Sequence, residues 1–279
     1  RTAFPDAMIE LTVELRRKCE IVEKIEVLIA AGDEIKVPEI DSEIPVIVHQ
    51  CRTESFGYEW LKTTGSEAHL DNLKLDYAEK LSETEIYKNN GFPFIVPELR
   101  EGLFEFEKAG KNKLPVLIEE QDLKGILHNH STWSDGRNSL EDMALSCKAL
   151  GKEYLGICDH SKSAFYANGL SAERIVQQHQ EIDYLNDKLA PFKIFKGIES
   201  DILYNGSLDY EEEVLKTFDF VVASVHSQLK MDEAKANERL IKAIENQYTT
   251  ILGHPTGRLL LSREGYPIDH HKIIDACAA

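Results

Sequence analysis

Two histidines separated by one residue follow an apolar run, in the sequence GILHNHSTWSDG at residues 125–136. In an extended strand alternate side chains point to the same side, so His128 and His130 would face one way, with Asn129 turned from them. Two imidazoles on one side could bind a metal ion, and Asp135 follows as a further candidate ligand. The stretch predicts the start of a metal site.

Metal-capable residues also end the apolar runs that come next. After residue 122, strand-like runs alternate with helical patterns: KGILHNH, EYLGICDH, FKIFKGIES, FDFVVASVH and YTTILGH. This alternation indicates a parallel sheet or barrel, in which the carboxyl ends of the strands converge on one face. The residues that would meet there are His130, His160, Glu199, His226 and His254. A metal-capable residue at the same place in five successive strands, with His128 in addition, is improbable by chance.

The types of these residues restrict the metal and its chemistry. Histidines with carboxylates and no cysteine suit Zn, Mn or Fe, and the set exceeds one tetrahedral shell, so we expect two or three divalent ions. Ions that clamp a phosphate and lower the pKa of a water are typical of phosphate-ester hydrolysis. Asp159 is left out of the ligand set, because it could equally orient His160 or end the strand.

The remaining histidines are expected to have no metal role. His179 lies in a polar helical pattern, and His270 and His271 stand at an apparent helix start, so all three are expected at the solvated surface. His49 and His69 lie early in the chain, without clustered partners.

Composition and charge describe a globular protein with an acidic surface. The 279 residues are 42% hydrophobic and 29% charged, with a formal net charge of −17. This charge argues against nucleic-acid binding through a broad basic face, although a local groove or bound metal could hold a phosphate ester. The five cysteines form no CxxC pair, so we expect buried thiols in a reducing cytoplasm. No run approaches the roughly 18 apolar residues of a membrane span.

The first part of the chain has a less regular pattern. Residues 6–31 predict mostly helix, with a β-branched end that could turn into a strand, and PVIVHQC at 45–51 predicts a short strand. Ser82 and Glu85 form a capping-box pattern for a short helix that ends at Asn-Gly.

The motifs HNHSTWSDG, ICDHS, GIESDI, SVHS and GHPTGR together resemble the PHP (polymerase and histidinol phosphatase) domain, in the form fused to bacterial and archaeal X-family DNA polymerases. The resemblance implies an α/β fold, a distorted (β/α)7 TIM-like barrel with nine ligands around three metals, usually Mn or Zn. The ligands that it implies here are His128, His130, Asp135, His160, Glu199, His226 and His254, with Glu199 bridging two ions. The family's last two ligands would lie beyond Ala279, so we expect the domain at 118–279 to be truncated before its last strands.

The region at 1–117 resembles the palm and thumb of the same polymerases. ESFGYEWLKTTGSEAHLDN and SETEIYKNNGFPFIVPELREG match their TGS-containing and PPELRE-containing segments, which implies a smaller α+β region. The palm's metal-binding aspartates are missing, because no GDxD-like pattern occurs between Lys24 and Val37, and Ile47 stands about where the third would fall. We expect weak or absent polymerase activity, and a simple turn at Gly65-Ser66.

The resulting hypothesis is a metal-dependent phosphoesterase with a metal-bound hydroxide as nucleophile and Glu199 bridging the ions. Its substrate would be a small phosphate ester or a 3′ DNA end, cleaved as a 3′-5′ exonuclease or a 3′-phosphatase. Arg258, after His254, could contact the substrate phosphate or form a surface salt bridge. Two alternatives stay open: an X-family DNA repair polymerase with PHP proofreading, and a non-catalytic module that binds DNA ends or proteins.

Overall fold

The computed structural model describes residues 7–32, 42–77 and 80–279. The chain separates into two compact units, residues 1–117 and 118–279. The boundary follows the change in sequence rhythm near residue 117, where irregular segments give way to alternating strands and helices.

The first unit combines a three-stranded mixed sheet with short helices. The strand β1 runs antiparallel to β2, and β2 runs parallel to β3. The elements are β1 (Met8–Leu11), α1 (Val13–Arg16), β2 (Ile25–Ala31), β3 (Val46–Arg52), α2 (Phe56–Thr64), α3 (Glu67–Leu70), α4 (Glu83–Asn89) and α5 (Glu105–Gly110).

The prediction of mostly helix for residues 6–31 is wrong, although its β-branched end does form a strand. Residue 6 itself lies outside the described part of the chain. The segment is strand because β1 and β2 pair with each other, and β2 buries Leu28 and Ala30 in a small cluster with Phe56. Cross-strand pairing of this kind overrides local helical periodicity. The strand predicted at 45–51 is confirmed as β3.

The predicted caps of the first unit are confirmed. The Ser82 hydroxyl accepts a hydrogen bond from the Glu85 backbone, and the Ser82 backbone donates to the Glu85 carboxylate, so the capping box begins α4. Gly65 ends α2, and the Ser66 hydroxyl caps α3, which makes the TGS segment a helix-to-helix turn. Residues 28–36, where a polymerase would need a carboxylate pair, are described only as far as residue 32.

The second unit is built on a parallel sheet whose strand order follows the chain, β4-β5-β6-β7-β8. In the described residues the sheet has five strands, with β4 and β8 at its edges, and is not a closed barrel. The elements are β4 (Gly125–Ile126), α6 (Leu140–Ala149), β5 (Tyr154–Ile157), α7 (Ala172–Leu189), β6 (Lys193–Asp201), α8 (Glu212–Leu215), β7 (Phe220–Ser224), α9 (Glu233–Ile244), β8 (Ile251–Leu252) and α10 (His270–Ala278).

Apolar side chains on both faces of the sheet hold its strands in place. Every residue of β7 is buried, as expected for a parallel strand covered on both faces. Ile157 and Ile194 pack in one cluster, and Ile198 and Leu240 pack in another. Truncating such a side chain to alanine typically costs about 2–5 kcal/mol. The carboxyl ends of the strands are therefore carried by a densely packed frame.

The cysteines agree only in part with the expectation of buried thiols. Cys147 and Cys158 are buried, but Cys277 is exposed, because α10 buries only Ile273. All five thiols are free. Within the described ranges, no helix is both long and apolar enough to cross a membrane.

Candidate metal centre

Five histidines surround the carboxylate of Glu199, which lies on β6 and is only 1% exposed. Each histidine follows the end of a different strand or, for the first pair, of β4. The Nε2 atoms of His128, His226 and His254 lie 2.9, 3.2 and 2.9 Å from Oε1, and His130 Nε2 and His160 Nδ1 lie 3.6 and 3.1 Å from Oε2. The strand ends thus bring together all five histidines that the sequence analysis singled out.

Three overlapping sets of side chains could each hold an ion. They are His128, His130 and Glu199; His130, Asp135 and His160; and His160, Glu199 and His226, each with donor atoms within 4.8 Å of one another. Glu199 belongs to two of the sets, and its two carboxylate oxygens could serve more than one ion, whereas a neutral imidazole such as that of His130 or His160 would serve one. The Nδ1 atoms of His130 and His160 are buried and have no partner in hydrogen-bond geometry. Each of these rings therefore keeps a nitrogen that no hydrogen bond within the protein occupies. Imidazole and carboxylate donors fit Zn, Mn or Fe.

The backbone conformation at the paired histidines differs from the extended strand that was expected. The strand β4 ends at Ile126, and His128 adopts a left-handed conformation with φ 59°, so the pair is not in an extended strand. His128 and His130 nevertheless point to the same side, as expected. Asn129 turns away, its Nδ2 donating to the Gly156 carbonyl at 2.9 Å, while Cys158 N donates to its backbone oxygen at 2.9 Å. These bonds hold Asn129 against β5 and the residue that follows it, which leaves the imidazoles on either side of Asn129 facing Glu199.

Asp159 neither orients His160 nor joins the candidate ligands. Its fully buried carboxylate accepts hydrogen bonds from Ser131 N and Oγ, from Ser134 Oγ and from Gln178 Nε2, at 2.5–2.8 Å. Four donors satisfy a buried charge that would otherwise be costly. Asp159 therefore holds the turn that follows the histidine pair.

That turn returns Asp135 to the centre. Gly136 N donates to the Ser131 carbonyl at 2.9 Å, and a Cβ at Gly136 would lie 2.1 Å from the His130 carbonyl oxygen. Only glycine allows this approach. As a result, Asp135 Oδ1 lies 3.8 Å from His160 Nε2, although the residue is 48% exposed.

Asp201 is a site residue that the sequence analysis missed. It lies two positions after Glu199 on β6, and its Oδ1 contacts His226 Nδ1. Burial would lower the pKa of His226, but the hydrogen bonds to Asp201 and Glu199 raise it to about 9. The Glu-x-Asp spacing, which puts both carboxylates on one face of a strand, was the available signal.

The electrostatics keep Glu199 ionised. Burial by itself would raise the pKa of Glu199, but the hydrogen bonds from His128, His226 and His254 hold it well below its usual range. Burial lowers the pKa of His160, which favours the neutral imidazole that binds metals. The centre therefore presents a fixed anion with at least one neutral ring.

Two further residues lie at or after the strand ends. The ring of Tyr166 lies 6.2 Å from that of His160. The pKa of the Tyr166 hydroxyl is raised, mainly by partial burial and also by the negative charge of nearby carboxylates. Arg258 lies exposed after His254, its backbone N donating to Thr256 Oγ1 at 3.4 Å. Its contact with a substrate phosphate stays a prediction.

The expectations for histidines elsewhere are confirmed only in part. His270 and His271 are exposed at the start of α10. The prediction for His179 is wrong, because its ring lies edge-on to Phe218, with centroids 5.2 Å apart, and its Nε2 is buried. Phe218, which lies between α8 and β7, packs against the His179 ring. The helical pattern around His179 gives no sign of this distant contact.

The two histidines of the first unit are not without partners. His49 Nε2 lies 2.6 Å from Glu26 Oε2. His69 is fully buried, with Nδ1 2.8 Å from Glu105 Oε1 and Nε2 2.7 Å from the Tyr87 hydroxyl. Each is a histidine–carboxylate pair rather than a cluster of metal ligands.

Comparisons with known proteins identify a family for the part of the chain that carries the candidate metal centre. The PHP domain model matches residues 127–277. The chain is 46% identical over 194 residues to the DNA polymerase/3'-5' exonuclease PolX of Bacillus subtilis, which covers 70% of the chain and 34% of that protein. Probable phosphatases of Caldanaerobacter subterraneus and Caldicellulosiruptor bescii are 34% identical over 94 residues and 30% identical over 150 residues. These alignments cover 32% and 49% of the chain and 35% and 53% of the two phosphatases, so the chain spans about a third to a half of its relatives' lengths.

Proposed function

Because the chain belongs to the PHP family, we propose that it is a metal-dependent phosphoesterase. The observation that carries this proposal is the convergence of five imidazoles on the buried carboxylate of Glu199 at the carboxyl ends of parallel strands. A buried carboxylate needs compensating partners, and five imidazoles crowded around a single carboxylate form a donor set suited to divalent metal ions. The names of several relatives, probable phosphatases, agree with hydrolysis of phosphate esters.

The proposed ligands are the seven residues that the sequence indicated: His128, His130, Asp135, His160, Glu199, His226 and His254. Two or three ions of Mn or Zn, with Fe as a further choice, suit this donor set. When bound, such ions lower the pKa of a water and offset the charge on a phosphate. Glu199 contributes the shared negative charge, Asp201 orients His226, and Asp159 holds the turn that presents Asp135.

A nucleic-acid 3′ end is the substrate that we propose within this class. The relative from Bacillus is named a 3'-5' exonuclease, and the similarity extends over 70% of the chain. The net charge of −17 leaves the ions themselves as the main attraction for a phosphate. Arg258, after the last histidine of the centre, is proposed to contact the same phosphate.

A second candidate is the DNA polymerase activity named for the same relative. The first unit argues against it in one respect. On β2 the carboxylate of Glu26 is paired with Lys24 Nζ at 2.7 Å and with His49 Nε2 at 2.6 Å, and the neighbouring strand places Ile47 opposite it. A carboxylate already paired with a lysine ammonium and hydrogen-bonded to an imidazole has little freedom to bind catalytic metals. We therefore propose that polymerase activity is weak or absent.

Metal content and hydrolysis measured together test the proposal. Mass spectrometry would count ions in the wild type and in Glu199→Ala, and both proteins would be assayed with Mn²⁺ on bis-p-nitrophenyl phosphate, p-nitrophenyl phosphate and a 5′-labelled oligonucleotide. We expect bound ions and turnover in the wild type and loss of both in the variant. Full hydrolysis by metal-free protein would reject the proposal. Bound ions without turnover on any ester would favour the non-catalytic module, and primer extension with Mg²⁺ would favour the polymerase.

A further inference from the structure

Two large aromatic side chains lie exposed on one short turn, and the second of them adjoins the candidate metal centre. Phe165 is 87% exposed and Tyr166 is 73% exposed, and both belong to a short 3-10 turn at Phe165–Ala167. The Tyr166 ring lies 6.2 Å from the His160 ring, at an interplanar angle of 59°. Side chains this exposed contribute little to the core, so the fold does not explain the pair.

The turn that carries these rings is firmly held. Ala164 and Ala167, on either side of the pair, are buried, and Gly169 N donates to the Ala164 carbonyl at 3.1 Å. Asn168 ends the turn in the left-handed conformation, with φ 54°. A Cβ at Gly169 would lie 1.9 Å from the Ser161 carbonyl oxygen, so the two backbone segments are too close there for any residue other than glycine. The backbone is packed while the two rings face solvent.

The turn is also tied to the metal centre through one carboxylate. Ser163 Oγ donates to Asp201 Oδ2 at 3.1 Å, and Asp201 Oδ1 contacts His226. Ser163 N donates to Asp209 Oδ2 at 2.7 Å, which adds a second anchor. The turn that carries the aromatic pair is therefore tied to the centre by hydrogen bonds that include a residue of the centre.

We propose that Phe165 and Tyr166 form a stacking platform for the nucleobase next to the scissile phosphate, and so determine specificity for nucleic-acid ends. This inference rests on the proposed phosphoesterase function. Every base offers a π-face, and stacking on aromatic side chains is independent of sequence. It also supplies affinity that a chain of net charge −17 cannot obtain from a broad basic surface. A small sugar or glycerol phosphate has no such face.

The kinetic test compares substrates with and without a terminal base. The metal-loaded protein and the variants Phe165→Ala and Tyr166→Leu would cleave a single-stranded oligonucleotide with a normal 3′ nucleotide, the same strand with an abasic 3′ residue, and glycerol phosphate. Tyr184→Ala, which removes a ring that is 62% exposed on α7, is the matched control. We expect a loss of about tenfold in kcat/KM, carried by KM, on the normal end only. Unchanged cleavage of the normal end, or equal losses on all three substrates, would overturn the inference.

A spectroscopic measurement separates this inference from the proposed function. A strand with 2-aminopurine at its 3′ end, joined through a hydrolysis-resistant phosphorothioate, would be added to the metal-loaded protein. Stacking on the wild type should quench the fluorescence, and Phe165→Ala should restore most of it. If the wild type quenches but hydrolyses no ester, the stacking is supported and the phosphoesterase function fails. If it hydrolyses esters and the variant quenches as fully as the wild type, only the stacking inference fails.

Discussion

Asp201 and Glu199 hold His226 by both of its ring nitrogens. Asp201 Oδ1 contacts Nδ1, and Glu199 Oε1 lies 3.2 Å from Nε2, so two carboxylates on one face of β6 fix a ring that follows β7. A histidine held at Nδ1 by a carboxylate has its other nitrogen oriented for a metal. The pair therefore makes Asp201 a positioning residue of the centre.

Replacing Asp201 tests this positioning role. We expect Asp201→Asn to weaken metal affinity about 10- to 100-fold, because His226 loses its charged partner, while turnover returns at saturating metal. Titration of metal-free protein with Mn²⁺ measures the affinity. Ser163→Ala removes only the bond from the aromatic turn to Asp201 and should leave the affinity within twofold of wild type. An equal loss in both variants would show that Asp201 acts through the turn.

Asp159 is expected to matter for stability more than for metal binding directly. Asp159→Asn would set an amide among groups that all donate to the native carboxylate, which should lower the free energy of unfolding by about 2–4 kcal/mol. Urea denaturation of the metal-free proteins measures this. Exposed Asp187→Asn is the control. If Asp159→Asn unfolds like wild type, the four hydrogen bonds are not what holds the turn.

Metal loading should stabilise the second unit. An ion that binds only the folded state at 100 times its Kd adds about 2.7 kcal/mol to the free energy of unfolding. Differential scanning calorimetry with and without Mn²⁺ or Zn²⁺ should show the shift in wild type and in exposed Glu213→Gln. Glu199→Gln keeps the shape of the side chain and removes its charge, so we expect no shift there. A full shift in Glu199→Gln would exclude Glu199 as a metal ligand.

His69 should make the stability of the first unit depend on pH. Burial lowers its pKa from 6.5, and the neutral ring donates to Glu105 from Nδ1 while Nε2 accepts from Tyr87. Above pH 6.5 the ring is neutral in both states, and its contribution is complete. As the pH falls below 6.5, the unfolded chain takes up the proton first. The free energy of unfolding should then fall by up to about 1.4 kcal/mol per pH unit, until the lowered pKa is reached.

The measurement follows Trp60 fluorescence during denaturation between pH 7.5 and 5.5, in a Trp133→Phe background that leaves one tryptophan. His69→Gln should flatten the pH dependence, and exposed His271→Gln should retain it. A slope that survives His69→Gln would assign the effect to other groups.

Local sequence signals predicted the caps and the strand ends because each depends on a few neighbouring residues. The Ser82–Glu85 box and the Gly65-Ser66 turn need no distant partner. The helix expected at residues 6–31 failed for the opposite reason, since β1 and β2 are strands only because they pair across the intervening segment. His179 was misplaced because Phe218, distant in sequence, covers its ring.

Residue types and the alternating rhythm by themselves determined which side chains follow the strands from His128 to His254, and that these side chains are of types that can bind metal ions. Only the tertiary structure decided that five rings meet on Glu199, that Asp201 holds His226, and that Asp159 supports a turn instead of a ring. The physical reason is that strand periodicity is local, whereas the distance between two strand ends depends on sheet register and on packing across the whole unit. The exposed pair Phe165–Tyr166 belongs to this second category, because no local pattern shows that a ring will stay outside the core.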